Sequence, residues 1–244
     1  MTKTVLVTGA SSGIGAATAI LAAERGWDVA VHYNANRDGA EDIVKAVEAQ
    51  DQRALLCSGD VATPDGIAQI FATLDSADWP LDALVNNAGV VDMTARLIDM
   101  DHARLRRMFD VNVIGAMLIA KEAVLRLTGR GGVIVNVTSA ASRLGSGNQY
   151  VDYAASKAAM DIFTKGLSDE VAADGIRVMA VRPGLIETEL HGKGGEPDRA
   201  QRLAHQVPMQ RTGSALEVAQ TILFLLSDEA SYMTGSSIEV TGGR

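Results

Sequence analysis

Cysteine, positive charge and long apolar runs are all scarce in this chain of 244 residues. Cys57 is the only cysteine, so no disulfide can form within the chain, which suits a reducing cytoplasm. Acidic residues outnumber basic ones by 30 to 22, and the net charge of −8 argues against nucleic acid or an anionic membrane as the main partner. The best apolar run, residues 113–120, is too short to cross a bilayer. Met1-Thr2-Lys3 leads directly into a β-branched run, so we expect no signal peptide.

The chain also lacks the usual marks of a domain boundary. No internal repeat, low-complexity tract or linker rich in proline, glycine and serine divides it. Hydrophobic residues make up 47% and charged residues 21%, an ordinary composition for a globular protein with a substantial core. We therefore predict one domain over residues 1–244.

Short β-branched runs alternate with longer helical patterns along the sequence. Several of the runs are almost entirely apolar, which is typical of parallel strands buried on both faces. The alternation predicts an α/β fold with a doubly wound, seven-stranded parallel sheet and helices on both faces. The predicted strands are 4–7, 28–32, 54–57, 83–85, 133–137, 177–181 and 238–240, and the predicted helices include 15–25, 40–50, 65–74, 102–127 and 153–173.

A glycine-rich turn, residues 8–15, follows the first predicted strand directly and opens the first predicted helix. Its glycines have the spacing G-x-x-x-G-x-G. Glycine lets the backbone approach a pyrophosphate closely, and a helix N-terminus offers free N–H groups and the positive end of the helix dipole. A tight turn without a ligand is the alternative, but the position after strand one favours a dinucleotide. No Gly-Lys-Ser/Thr follows, which excludes a Walker-type phosphate loop.

Tyr153 and Lys157 stand four residues apart in a run of good helix formers. On a helix this spacing puts both side chains on one face, about 5–6 Å apart at Cβ. An ammonium group beside a phenol favours the phenolate and lowers its pKa from about 10 toward the range of an acid–base catalyst. We interpret the pair as catalytic, with a core tyrosine beside a solvated lysine as the alternative. Tyr150 competes for the role, but no lysine follows it four residues later.

Six motifs occur in the order seen in the classical short-chain dehydrogenases/reductases. They are residues 8–15, Asn86-Asn87-Ala88-Gly89, Asn112, Ser139, Tyr153-x-x-x-Lys157 and Pro183-Gly184. The chain resembles this family over essentially its whole length, and most of all its bacterial members similar to glucose-1-dehydrogenase and 3-oxoacyl-carrier-protein reductase. The resemblance implies a Rossmann fold and an oxidoreductase that transfers hydride between NAD(P) and a carbonyl or alcohol substrate.

The resemblance also implies which residues bind the cofactor, with the backbone near Ile186 and the Thr188 hydroxyl holding the nicotinamide carboxamide. For Asp60, capping of the following helix is the alternative. The implied set comprises Gly9, Ser11, Ser12, Gly13, Ile14, Gly15, Tyr33, Asn34, Arg37, Asp60, Val61, Asn87, Ala88, Gly89, Tyr153, Lys157, Pro183, Gly184, Ile186 and Thr188.

The end of strand two bears on the choice between NADP and NAD. An acidic residue at this strand end binds the adenosine ribose 2′-OH and selects NAD. Tyr33 stands where the resemblance places that acid, and Asn34 or Arg37 could instead hydrogen-bond a 2′-phosphate. Against this, many NADP-using relatives carry a basic residue where Ser12 stands. Arg37 is equally explained as a solvent-exposed loop residue that does not contact the cofactor. NADP is therefore favoured over NAD.

A hydroxyl after strand five can hydrogen-bond a substrate carbonyl oxygen as it gains negative charge. The residues themselves do not distinguish Ser139 from Thr138, Ser142 or Ser146. The resemblance selects Ser139 through its spacing to Tyr153.

Asn112 interrupts an otherwise apolar helical segment. A buried asparagine without a partner costs about 1–3 kcal/mol, so a partner is expected unless the residue is at the surface. The resemblance suggests that Asn112 holds a water that links Lys157 to solvent in a proton relay, and that Lys157 also holds the nicotinamide ribose.

Residues 187–211 form a glycine-rich excursion beside the predicted site. It contains Gly192, Gly194, Gly195 and Pro197, and we interpret it as a lid, with an ordinary surface loop as the alternative. His191 and His205 also lie there, but no second metal-type cluster accompanies them. We predict no metal site.

The preferred interpretation is a cytoplasmic carbonyl reductase with a small-molecule substrate. Two alternatives are a non-catalytic NADP-binding sensor or scaffold, which would not need the four catalytic residues together, and a SAM-dependent methyltransferase, which has no use for the Tyr/Lys pair.

We also predict a homotetramer, from small or apolar helix residues and a final edge strand, 236–240, that needs covering. The helix residues are Gly115, Ala116, Ala120, Ala155, Ala159 and Ile162.

Overall fold

Seven parallel strands form the central sheet of this computed structural model, which describes residues 2–188, 195 and 198–244. The sheet order is β3-β2-β1-β4-β5-β6-β9, so the predicted doubly wound fold is confirmed. The order reverses between β1 and β4, which opens a crevice at their carboxyl ends. The strands of the central sheet are β1 Thr4–Val7, β2 Asp28–Tyr33, β3 Ala54–Ser58, β4 Ala83–Asn86, β5 Gly132–Val137, β6 Ile176–Pro183 and β9 Ser237–Val240. Two short strands, β7 Ile186–Glu187 and β8 Gly213–Ser214, pair in a separate sheet.

Helices cover both faces of the sheet. They are α1 Gly13–Glu24, α2 Arg37–Glu48, α3 Pro64–Ser76, α4 His102–Phe109, α5 Ala116–Leu127, α6 Ala141–Leu144, α7 Val151–Val171, α8 Arg199–Leu203 and α9 Ala215–Leu226. One apolar core joins the sheet to α1, α2 and α9, and a second joins it to α3, α5 and the end of α7. Strands β1, β2 and β4 are buried throughout, because apolar side chains on both of their faces meet these two cores.

The predicted helix over 102–127 is interrupted in its middle. Between α4 and α5 the chain makes a π-helical segment, Asp110–Gly115, of the kind that often marks a functional site. Asn112 lies in this segment and is buried. Gly115 closes it against the Val61 carbonyl, where a β-carbon would collide with the main chain.

The two ends of the predicted lid are joined at one place, because β7 pairs with β8 in a separate two-stranded sheet. Gly195 faces Met93, where any β-carbon would meet the methionine side chain. His205 is exposed. His191, Gly192, Gly194 and Pro197 lie outside the described residues. Within the described part of the chain, every helix is too short or too polar to span a membrane.

Candidate active site

A cavity of about 1020 Å³ opens at the carboxyl ends of the central strands. Every loop that leaves this edge of the sheet contributes to its walls. Of the predicted site residues, the lining includes Gly9, Ser11, Ser12, Gly13, Ile14, Asn34, Asp60, Val61, Asn87, Ala88, Gly89, Ser139, Tyr153, Lys157, Pro183, Gly184, Ile186 and Thr188. The predicted residues Gly15, Tyr33, Arg37 and Asn112 are not among the lining residues.

The glycine-rich turn has the geometry of an anion cradle. Gly9 and Gly13 have φ angles of +66° and +58°, a region that favours glycine. Ser12 is the N-cap of α1 but its side chain makes no capping hydrogen bond, and no acidic residue occupies the first turn. The first N–H groups of α1 therefore face the cavity with the positive end of the helix dipole, which fits a pyrophosphate.

Gly15 does not line the cavity but packs against the glycine-rich turn on the side away from it. It is buried, and a β-carbon there would collide with the Gly9 carbonyl and approach the Asn87 amide. Asn87 in turn donates through Nδ2 to the Thr8 carbonyl at 2.9 Å and to the Gly9 carbonyl at 3.2 Å. The turn after β1 and the end of β4 are thus locked together by close packing and hydrogen bonds.

The end of β2 differs from the sequence interpretation. The Tyr33 side chain is buried in the apolar core with α1 and α2, because it points to the face of the sheet that these helices cover. Arg37 is exposed and pairs with Glu41 one helical turn later, with Nε 2.7 Å from Oε1. Of the residues predicted to select the cofactor here, only Asn34 lines the cavity.

Asp60 and Val61 line the cavity after β3, and capping does not explain the aspartate. The cap of α3 is Thr63, whose hydroxyl accepts from the Gly66 N–H at 3.1 Å. Asp60 instead accepts from the Ala62 N–H at 2.9 Å and fixes the short loop that carries Val61.

Asn112 is fully engaged with its neighbours. Its Oδ1 accepts from the Val90 N–H at 2.8 Å, and its Nδ2 donates to the Val90 carbonyl at 2.9 Å and to Ser156 Oγ at 3.1 Å. These bonds satisfy the buried amide and join the loop after β4 to helix α7. The side chain therefore supports the cavity wall from outside, which is why it is absent from the lining.

Tyr153, Lys157 and Ser139 meet at one end of the cavity. The Ser139 and Tyr153 side chains are hydrogen-bonded to each other. Lys157 Nζ donates to the Val137 carbonyl at 2.9 Å and lies 5.7 Å from the centre of the Tyr153 ring. The structure thus brings together the three groups that the sequence analysis combines.

The electrostatics at this end correct one expectation. Burial raises the pKa of Tyr153, and the hydrogen bond from Ser139 only partly opposes this. Burial also lowers the pKa of Lys157 to about 8, against the attraction of Asp161. Desolvation is the largest cause of the Tyr153 shift, and the Lys157 ammonium is not among its causes. Tyr153 is therefore a protonated phenol at neutral pH.

The competing hydroxyls have other partners. Thr138 is buried and donates to the Val181 carbonyl at 3.1 Å, while Ser142 donates to the Ser139 carbonyl at 2.8 Å. The Tyr150 hydroxyl accepts from Thr94 at 2.8 Å. Thr138 and Ser146 both line the cavity, but the Thr138 hydroxyl is held by the Val181 carbonyl, so Ser146 is the main alternative to Ser139.

Cys57 lies on β3 and packs into the core. Cys57 is buried, and burial raises its pKa to about 12, so it stays a thiol. Within the described ranges, no group of three or more metal-type side chains comes together.

Several lining residues were not predicted. His32 is a polar side chain that directly follows the apolar residues 29–31 of its strand, a signal that is available in the sequence. Others come from the two segments that follow β4 and β5, where no rule connects sequence to a binding surface. The unpredicted lining residues include His32, Val90, Val91, Arg107, Leu144, Gln149, Leu185 and Arg244.

The fold and the cavity define an oxidoreductase of the nicotinamide-dependent kind, and the comparisons agree. A family model described as enoyl-(acyl carrier protein) reductase matches residues 9–244. An uncharacterized oxidoreductase, YgfF, from Escherichia coli K12 is 49% identical over 98% of this chain and 98% of its own. The 3-oxoacyl-[acyl-carrier-protein] reductase FabG from Staphylococcus epidermidis is 35% identical over 100% of this chain and 99% of its own.

A solved structure gives the same result. The angucycline C-6 ketoreductase LanV with bound NADP is 30% identical, has a TM-score of 0.92, and is matched over 99% of this chain and 95% of that chain. The chain belongs to the short-chain dehydrogenase/reductase family. It is an enzyme that transfers hydride between a nicotinamide cofactor and a carbonyl or alcohol substrate.

Proposed function

We propose that this enzyme is an NADPH-dependent carbonyl reductase in which Tyr153 donates the proton. One observation carries the proposal: Tyr153, hydrogen-bonded to Ser139, faces the cavity next to Lys157. Burial raises the pKa of Tyr153 and keeps the proton on its oxygen at neutral pH, so the proton that reduction of a carbonyl requires is present at the site. Reduction is therefore favoured over oxidation of the alcohol.

The residues around the cavity divide the remaining tasks. The cofactor supplies the hydride when it is bound. The turn with Gly9 and Gly13 and the uncapped start of α1 would hold its pyrophosphate. Thr188, whose side chain lies close to Gly13, would hold its nicotinamide carboxamide. Asp60 and Val61 would contact the adenine.

Three side chains act on the substrate oxygen and its proton. Ser139 is fixed by the Ala141 N–H, which donates to its Oγ at 3.1 Å, and its hydroxyl orients the carbonyl oxygen beside Tyr153. Lys157 binds the nicotinamide ribose. Gly89 leaves room between Lys157 Nζ and Asn112 Oδ1, since a β-carbon there would lie 3.3 and 3.2 Å from them. A proton path from Lys157 to solvent past Asn112 uses this space.

The NADP preference now depends on Asn34 alone among the predicted residues. It is an exposed amide on the cavity wall, and no carboxylate lines the cavity at the end of β2 to repel a 2′-phosphate. LanV, a ketoreductase of the same fold, was solved with NADP. Tyr33 and Arg37 are not part of this proposal.

A substrate panel tests the reductase directly. Aldoses, quinones, diketones and acyl thioesters are supplied with NADPH, and its absorbance is followed. We expect at least one carbonyl class to be reduced by the wild type and none by Tyr153→Phe. Wild-type protein that binds NADPH by fluorescence but reduces none of the four classes would contradict the reductase and favour the sensor or scaffold.

We also propose that the enzyme is a cytoplasmic homotetramer. Of the helix residues that predicted it, Ala155 and Ile162 are exposed and still support it. Gly115, Ala116 and Ala120 pack inside the subunit, so they cannot mediate association. Exposed apolar side chains on the π-helical segment, α5 and α7 support it instead, together with the position of β9 at the sheet edge. The side chains are Ile114, Met117, Leu125 and Ile162, which are 43%, 41%, 63% and 75% exposed. Light scattering at micromolar concentration tests this, and an active species near 25.6 kDa would contradict it.

Finally, we propose that the chain acts as one domain with a lid over 187–211. The pairing of β7 with β8 supports this, because it anchors both ends of the segment beside the Leu185–Ile186 wall of the cavity. Limited proteolysis tests it: NADPH should slow cleavage within the segment, and a single stable fragment much smaller than the chain would contradict the single domain.

A further inference from the structure

His32, at the carboxyl end of β2, uses both nitrogens of its ring. The Gly9 N–H donates to Nδ1 at 3.0 Å, and Nε2 lies 3.0 Å from the Gly59 carbonyl oxygen. A main-chain N–H only donates and a carbonyl only accepts, so Nδ1 is the unprotonated acceptor and Nε2 carries the hydrogen. The two contacts therefore fix a neutral ring in one tautomer.

These two contacts join two loops of the cavity. Gly9 opens the glycine-rich turn, and Gly59 comes directly before Asp60 and Val61. The main chain strengthens the same junction, because the Ala10 N–H donates to the His32 carbonyl at 2.8 Å. The imidazole thus spans from the proposed pyrophosphate turn to the proposed adenine loop.

The surroundings keep the ring in its neutral form. His32 is only 1% exposed. Burial lowers its pKa, and the bond to Gly59 and the charge of Asp60 only partly oppose this. A protonated Nδ1 would have to give up the Gly9 N–H, so hydrogen bonding and burial favour the same state.

We propose that His32 is a positioning residue for the cofactor. It sets the spacing between the glycine-rich turn and the loop at 59–61, so that both loops contact the same dinucleotide. This inference depends on the proposed function, because it takes the cavity as the NADPH site. His32 lies at the opposite end of the cavity from Tyr153 and is not a catalytic residue. Its loss should therefore weaken cofactor binding more than it slows turnover.

Two conservative variants separate the contributions of the two nitrogens. In His32→Asn the amide oxygen takes the place of Nδ1 and keeps the Gly9 bond. In His32→Gln the amide reaches the place of Nε2 and keeps the Gly59 bond. His32→Leu removes both and leaves a buried N–H and a buried carbonyl without partners, which is unfavourable.

The experiment measures the Kd for NADPH by fluorescence, the KM for NADPH, kcat, and amide hydrogen exchange of the turn without cofactor. For His32→Leu we expect the Kd and KM to rise at least tenfold while kcat falls less than threefold, with faster exchange at the turn. His32→Asn should stay within about threefold of wild type, and His32→Gln should resemble His32→Leu, because the Gly9 bond holds the turn itself. If His32→Leu fails to fold, the comparison of Asn with Gln decides.

A Kd within twofold of wild type in folded His32→Leu would overturn the inference, as would equal losses in the Asn and Gln variants. A loss of kcat without a change in Kd would also overturn it. Tyr153→Phe keeps this separate from the proposed function. If wild type and Tyr153→Phe both bind NADPH, the cavity is the cofactor site, and the His32 variants then test only the role of His32. If neither binds NADPH, the proposed function itself fails.

Discussion

The catalytic end of the cavity and the end at β2 are built differently. Lys157 and Asn112 are 5% and 1% exposed, and main-chain groups hold each of them. Asn34, Asn36 and Arg37 at the β2 end are exposed, and two of the three serve helix α2: Asn36 accepts from the Gly39 N–H at its start, and Arg37 pairs within it. Proton transfer requires the donor and acceptor atoms to be held in a fixed geometry. Discrimination between NADP and NAD requires only a favourable or unfavourable charge near the 2′-phosphate. Substitutions at the first end should therefore have larger effects than those at the exposed residues of the second.

The largest effect is expected for Tyr153→Phe. It removes the proton donor but keeps the ring, so turnover should fall by about 10²–10⁴-fold. The Kd for NADPH should change less than about twofold. Retention of more than about a tenth of wild-type kcat would show that another group donates the proton. Ser146→Ala in the same assay tests whether Ser146, rather than Ser139, orients the substrate carbonyl oxygen.

Next in size is the loss of a buried ion pair beneath the catalytic helix. Arg104 Nε lies 2.8 Å from Asp152 Oδ2, the side chains are 11% and 0% exposed, and Arg104 also donates to the Met93 carbonyl at 2.7 Å. Arg104→Met leaves Asp152 buried and unpaired, which should cost about 3–5 kcal/mol of unfolding free energy. That corresponds to a fall in Tm on the order of 10 °C.

The matched control for this pair comes from the other end of the cavity. Arg37→Met removes an ion pair whose side chains are 66% and 42% exposed, so no measurable change in Tm is expected. Equal melting temperatures for the two variants would show that the two ends do not differ in rigidity as proposed.

The pH dependence of stability gives a third test. The pKa of Lys157 is lowered from 10.5 to about 8, so between these values the unfolded chain binds more protons than the folded one. Folding is penalised fully below pH 8, and the penalty disappears as pH rises toward 10.5. The unfolding free energy of wild type relative to Lys157→Met should therefore rise with pH, by about 3 kcal/mol across this window.

Denaturant titrations at several pH values measure this difference. Lys121→Met, at an exposed lysine on α5, corrects for the loss of any lysine. A difference between wild type and Lys157→Met that is flat with pH would mean that the ammonium is well solvated, and the contrast between the two ends would weaken.

The smallest effect is expected at the end of β2. Asn34→Asp places a carboxylate on the cavity wall, where it can accept from the ribose 2′-OH of NADH and repel the 2′-phosphate of NADPH. The ratio of NADPH to NADH affinity should fall about tenfold, or about 1.4 kcal/mol. Arg37→Met should leave the ratio unchanged. If Arg37→Met changes it and Asn34→Asp does not, the assignment of the phosphate to Asn34 is wrong.

Much of the architecture could be predicted because it depends on local pattern. Apolar runs alternating with helical periods predict parallel strands, and the seven strands are where the sequence places them to within a residue or two. The motifs end up at one sheet edge because the carboxyl ends of parallel strands share it. The roles of the individual residues in catalysis and cofactor binding stay predictions.

The direction of side chains on β2 could not be predicted. Alternation tells the two faces of a strand apart only when one face is polar, and β2 is buried on both. The family resemblance assigns Tyr33 to the cofactor, while in the structure Tyr33 faces the core and His32 faces the cavity.

The sequence by itself determined the fold, the family and the place of Tyr153 and Lys157 on one helix face, because these follow from spacing along the chain. Only the tertiary structure decided the sign of the Tyr153 pKa shift, the partners of Asn112 and the bridging contacts of His32. Each of these depends on groups distant in sequence that exclude water or supply a hydrogen bond, and burial and partners exist only once the chain is packed.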